Sequence, residues 1–154
     1  MIESFFVELL NNKSLVIAAL SWFVAGVLKM FVELIVNKTF DIKRIVGAGG
    51  MPSSHTATVV ALLVATGYFE GINSNAFAIT VILAIIVIHD AVGVRFETGK
   101  QAKVLNTMMF ESDAFKDLDF ERQLKEYVGH TPLQVLMGGI VGLISSFVMI
   151  NMFK

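Results

Sequence analysis

Three histidines, His55, His89 and His130, lie in polar segments that adjoin apolar runs. A histidine titrates near neutrality and serves as nucleophile or as acid. His55 closes the segment Gly47-Ala48-Gly49-Gly50-Met51-Pro52-Ser53-Ser54-His55. Its glycines let backbone amides approach a ligand closely. Pro52 suits the first turn of a helix, Ser53 and Ser54 suit its cap, and the free amides of a helix start attract an oxyanion. An ordinary loop before a capped helix explains the serines and glycines equally well, but has no need of His55. His89-Asp90-Ala91-Val92-Gly93-Val94-Arg95 places an acid and an arginine at the end of another apolar run. Arg95 offers a planar fork suited to phosphate. A simple Asp90–Arg95 pair accounts for both residues too. Lys100, Gln101 and Asn106 continue a polar helical face, and Gly129-His130-Thr131-Pro132 opens the last apolar run. Two histidines, several cations and a Gly-rich helix start form a constellation for phosphoryl transfer. There is no P-loop and no HExxH motif.

The elements that must position these residues are membrane helices. Of 154 residues, 55% are hydrophobic and 16% charged, against roughly 25% charged in an ordinary soluble domain. The net charge of −1 gives no reason to expect nucleic acid as a partner. With no cysteine, disulfides, thiol nucleophiles, zinc–thiolate sites and iron–sulfur clusters are excluded. What remains is an all-α integral membrane bundle forming one domain, 1–154. About four transmembrane helices are expected, near 14–36, 54–69, 76–94 and 133–153, each having to approach about 20 mostly apolar residues. The second reaches that length only if the turn before it sits at membrane depth inside the protein. Asn73-Ser74-Asn75 reads as the tight turn between the second and third. The first ten residues lack the basic start of a secretory signal; Phe5, Phe6, Leu9 and Leu10 opposite Glu8 and Asn12 predict a short interfacial helix.

Positive charge assigns a side. Lys38, Lys43, Arg44, Arg95, Lys100, Lys103, Lys116, Arg122 and Lys125 fall in the connections 37–52 and 95–132, whereas Lys13 and Lys154 fall on the other side. The two connections are therefore expected in the cytoplasm. The connection 95–132 reads as amphipathic and surface-lying, with Val104, Met108 and Met109 on one face, then Phe110, Phe115, Leu118 and Phe120, against Glu111, Asp113, Asp117, Asp119 and Glu121. Lys29 lies inside the first span, some 10 Å from its end at about 1.5 Å per residue. It either snorkels to the interface, pairs with Glu33, or is held for an anionic ligand. Gly138, Gly139 and Gly142 give the last span a helix-packing face.

These blocks, Gly49-Gly50-Met51-Pro52-Ser53-Ser54-His55, Asp90 to Arg95 with Gly99-Lys100-Gln101-Ala102 and Leu105-Asn106, and Leu124-Lys125-Glu126 with Gly129-His130-Thr131-Pro132, resemble the divergent branch of the type-2 phosphatidic acid phosphatase family, which is related to acid phosphatases and vanadium-dependent haloperoxidases. The likeness runs from about Lys29 to Gly142. It implies a metal-free phosphatase with no cofactor, working through a phosphohistidine. Pro52-Ser53-Ser54-His55 matches the family's Pro-Ser-Gly-His block, which supplies phosphate contacts and the general acid. His130-Thr131-Pro132-Leu133-Gln134 is similar to its His-x-Pro-x-Asp block, making His130 the nucleophile. Gln134 stands where the family has an acid, and Leu124 where it has an arginine.

The expectation is then hydrolysis of a phosphate monoester, of a lipid or isoprenoid or a small soluble ester, at the cytoplasmic face of a prokaryotic inner membrane. His130, His55 and Asp90 would be catalytic. Lys29, Ser53, Ser54, Arg95 and Lys100 would hold phosphate, and Glu126, Gln134 or Asp90 would orient the histidine. Asp90 and Glu97 offer an alternative metal pair. Four spans are few to enclose a site, so a homodimer is expected. The rival reading is a non-catalytic carrier or scaffold that binds phosphate or a lipid phosphate.

Overall fold

A computed structural model describes residues 2–38, 40, 42–45, 49–111, 123–126 and 129–154, with the side chains of 2, 3, 43, 44 and 111 left aside. The described residues are helical with connecting turns. In chain order the helices are α1 (Ile2–Asn11), α2 (Lys13–Asn37), α3 (Ser54–Phe69), α4 (Asn75–Val92), α5 (Val94–Glu111) and α6 (Pro132–Met152), with a short 3-10 turn, Ile42–Ile45, after α2. Helices α2 and α6, and the run from Asn75 to Phe110, are long and apolar enough to cross a membrane; α3 is apolar but shorter.

The sequence signals place the helix ends. Asn12 caps α2 by accepting from the N–H of Leu15 at 3.0 Å, and the helix stops at Lys38 in the left-handed region, φ 55°. Ser74 caps α4 through the N–H of Phe77 at 3.0 Å. The expected turn 73–75 thus ends one residue early, because Ser74 takes the cap and Asn75 becomes the first helical residue. Before it, Gly71 adopts φ +88°, a conformation that costs glycine little.

The short helix is the central one. α3 packs against α2, α4 and α6, and its Ala57, Ala61 and Ala65 are fully buried. Their i, i+4 spacing makes one smooth stripe. Ile17, Ala61, Ala65 and Ile150 form the core cluster. Gly138 and Gly142 bring α6 onto α3: a Cβ on Gly142 would lie 2.5 Å from the carbonyl oxygen of Ala57. Close backbone approach through small residues is how helices associate in lipid. Gly139 faces open space, so the packing face is Gly138 and Gly142 without it. Ser21 on α2 and Ser145 on α6 share a buried hydrogen bond of 2.7 Å.

At about 1.5 Å per residue α3 is roughly 24 Å long, against a hydrocarbon core of about 30 Å. Its shelter among three helices resolves the shortfall, since irregular backbone at membrane depth is tolerated where protein covers it. Pro52, Ser53 and Ser54 are buried.

The connection after α4 departs from a single amphipathic helix. α5 runs from Val94 to Glu111, but residues 123–126 and 129–131 are not helical, because Asn106 binds the main chain of Leu124 and Thr131 takes the cap of α6. Val104 and Met108 are exposed on α5. Phe115, Leu118, Phe120, Asp113, Asp117, Asp119 and Glu121 lie outside the described residues.

Candidate active site

Two helix starts meet at one end of the bundle. Ser53 caps α3: its hydroxyl accepts from the N–H of Thr56 at 3.3 Å and from Thr56 Oγ1 at 3.0 Å. Pro52 therefore precedes the cap instead of entering the first turn, because the Ser53 hydroxyl reaches the orphan amide and the helix begins at Ser54. The N–H of Ser53 donates to the carbonyl of Gln134, in the first turn of α6, at 3.0 Å. A Cβ on Gly138 would lie 2.4 Å from the Ser53 carbonyl oxygen, so the two backbones touch. This contact sets His55 and His130 side by side, ring centroids 6.1 Å apart and planes inclined at 77°.

His130 is seated from below. Its N–H donates to the carbonyl of Ala91 at the end of α4, 3.1 Å away. Gly129 presses on α5, where a Cβ would fall 2.3 Å from Phe96 N and Cα. Any side chain there would displace the backbone. His130 is 3% exposed, and among the described residues neither ring nitrogen has a hydrogen-bond partner. Buried polar groups are nearly always partnered, so the ring is an exception among the described residues. Burial, then the charge of Lys29, then His55 and Arg95, push its pKa down to about 4. At neutral pH the ring is uncharged and holds a free lone pair.

Lys29 reaches this site from α2. It is 2% exposed and donates from Nζ to Ser54 Oγ at 2.9 Å. It therefore turns inward instead of snorkelling outward. Gly50, at φ +85°, lies against its stem, where a Cβ would sit 3.2 Å from Lys29 Cγ. One buried cation, one serine and the first turn of α3 thus converge beside the two histidines.

The remaining candidates are more exposed, although the charge of Arg95 still reaches His55 and His130. Arg95 Nε donates to Asp90 at 2.5 Å, with both side chains substantially exposed; Asp90 is held by this ion pair. Lys100 donates to Glu97 at 2.7 Å and lies over the Phe96 ring at 4.5 Å. Glu97 is thereby engaged with a cation. Lys100 also lines a cleft of about 290 Å³ with Gly50, Lys103, Gly129, Thr131 and Gln134. Lys103 is a cleft cation that the sequence reading left unassigned, although its i+3 spacing from Lys100 placed both on one helical face.

The proposed orienters face elsewhere. Gln134 completes a capping box with Thr131, accepting from its N–H at 2.9 Å while its own N–H donates to Thr131 Oγ1 at 3.3 Å. Glu126 accepts from Asn106 Nδ2 at 2.9 Å. Neither is bonded to His130; each accepts from an amide N–H instead.

The sequence has counterparts among known proteins. Residues 10–145 match the family model described as the Divergent PAP2 family. The chain is also 35% identical over 156 residues to YuiD, an uncharacterised membrane protein of Bacillus subtilis (strain 168), with 95% of this chain and 99% of that protein covered. No solved structure matches.

Proposed function

We propose, from the premise that the chain belongs to the Divergent PAP2 family, that it is a membrane phosphatase hydrolysing a phosphate monoester of a lipid or isoprenoid through a phosphohistidine. The observation that carries this reading is His130, buried and uncharged, with both ring nitrogens unpartnered among the described residues, beside His55 and the Lys29–Ser54 pair. A nitrogen lone pair of His130 attacks phosphorus, and the bond from phosphorus to the ester oxygen breaks. His55, carrying a proton, gives it to the departing oxygen. Water then attacks the phosphohistidine, His55 takes the water proton, and phosphate leaves with His130 restored. Lys29, Ser54 and the amides of the first turn of α3 offset the charge on the phosphoryl oxygens. Arg95 and Lys100 would hold the outer part of the substrate. By the distribution of basic residues the site faces the cytoplasm, and the membrane is a prokaryotic inner membrane. A homodimer belongs to this reading.

A second reading has its own support: Asp90, Glu126 and Gln134 are engaged with other partners, and among the described residues no carboxylate is bonded to His130. On that reading the same residues bind a phosphate or lipid phosphate without turning it over. The test is phosphate release by detergent-purified protein from a panel of lipid and soluble phosphates, with and without vanadate. Release that vanadate inhibits and His130→Ala abolishes supports the phosphatase. Release undiminished in His130→Ala removes the phosphohistidine. No release, with phosphate still bound, moves the assignment to a binding protein.

A further inference from the structure

We infer that Asn106, on α5, is the positioning residue for His130, acting through the segment that leads to it. Asn106 is 6% exposed and uses both ends of its carboxamide on one residue of that segment: Nδ2 donates to the carbonyl of Leu124 at 2.9 Å, and Oδ1 accepts from the N–H of Leu124 at 2.8 Å. This is the pairing that one strand offers another, made by a side chain. The second hydrogen of Nδ2 goes to Glu126 Oε1 at 2.9 Å. Both donors and the acceptor oxygen are thus engaged.

The consequence for His130 follows from where the chain goes next. Leu124 and Glu126 are held at Asn106, Gly129 rests on Phe96, and the N–H of His130 is bonded to Ala91. The segment is laid along α5 and the end of α4 at three points, and His130 is the last. Among the described residues its imidazole makes no hydrogen bond of its own. The position of the ring is therefore set by its backbone, and the backbone by these three seats. Asn106 is the seat made by a side chain, so truncating that side chain removes it without placing new atoms against the backbone. Aspartate lacks both donors and would face Glu126 with like charge; glutamine carries an extra methylene that the seated geometry does not fit.

The role as nucleophile positioner rests on the phosphatase reading, but the holding of His130 is testable without turnover. Full-length protein in detergent is treated with diethyl pyrocarbonate, and modification of each histidine is followed by mass spectrometry of its peptide. His89 and His55 are exposed and act as internal references. In the parent, His130 reacts more slowly than either. In Asn106→Ala its rate rises about tenfold while His89 is unchanged, as expected when a local latch is lost without global opening. Asn106→Asp does the same, and adding Glu126→Gln returns part of the protection, since the glutamine amide donates to the new carboxylate. A parental His130 rate in Asn106→Ala overturns the proposal, as does an equal rise at all three histidines. If Asn106→Ala fails to fold, the Asp single and the Asp/Gln double variant decide by the same readout. With p-nitrophenyl phosphate as substrate, Asn106→Ala lowers kcat about tenfold with KM within about twofold. Equal loss through KM overturns the positioning role. Absence of parental turnover on p-nitrophenyl phosphate and on every lipid and soluble phosphate of the panel overturns the phosphatase reading, and the labelling result still decides whether Asn106 holds His130.

Discussion

His55 and His130 face one another with ring centroids 6.1 Å apart, the first in the opening turn of α3 and the second just ahead of α6. What joins them is main chain: the N–H of Ser53 donates to the carbonyl of Gln134, and Gly138 leaves the Ser53 carbonyl room to approach. The histidine pair is thus a consequence of how two helix starts pack.

The buried cation separates function from packing. Lys29→Met keeps a stem of similar length and removes a charge that is expensive at membrane depth. Its thermal midpoint in detergent is expected at or above the parent's. Vanadate binding or phosphate release is expected to fall at least tenfold, about 1.4 kcal/mol or more. Unchanged binding would assign Lys29 to structure alone.

The glycines of α6 predict a contrast within five residues. Gly138→Ala and Gly142→Ala each force a Cβ to within 2.5 Å of a carbonyl oxygen on the neighbouring segment. Overpacking of this kind costs about 1–3 kcal/mol. Gly139→Ala meets nothing within 4 Å and is expected to match or exceed parental stability, since alanine is the better helix former. Unfolding in detergent, followed by circular dichroism, measures all three.

Gln134 is predicted to matter for the cap more than for the histidine. Gln134→Ala breaks the capping box with Thr131 and is expected to cost about 1 kcal/mol. Gln134→Glu retains the acceptor for the Thr131 N–H and keeps that stability. Phosphate release by Gln134→Glu is expected within about threefold of the parent, under 1 kcal/mol, because the carboxylate stays turned to Thr131. A rise of a hundredfold would place that side chain against His130 during turnover.

The pH dependence follows from the depressed pKa of His130, about 4 against an ordinary 6.5. The lowered value means that the unfolded chain takes up the proton first. Between pH 6.5 and 4 the unfolded state gains it and the native state does not, so native stability falls through that window and levels off below about 4. Melting temperatures from pH 7 to pH 4 are expected to drop more steeply for the parent than for His130→Gln. His130 stays uncharged down to about pH 4, so a loss of turnover centred near 6.5 on the acid side would contradict its proposed role as nucleophile.

Composition and apolar run length determined the class of this protein and most of its helix ends. The runs 14–36 and 133–153 are within one residue of α2 and α6, because caps such as Asn12 and Thr131 are local signals that the chain obeys wherever it packs. The residue types of the site were legible for the same reason: histidine, lysine and a Gly-Pro-Ser segment beside apolar runs are conspicuous in lipid-like surroundings. What tertiary structure alone decided is which of them meet. Lys29 turns inward because Ser54 lies across the α2–α3 contact, and no spacing along the chain encodes that contact. Asp90 and Glu126 remained equal candidates to orient His130 until packing gave one to Arg95 and the other to Asn106. Asn106 was visible on a polar helical face, but its role was not, since an asparagine there declares a partner only once Leu124 has been folded back against it. Periodicity reports a residue's own helix; hydrogen bonds between segments depend on a register that only the folded bundle supplies.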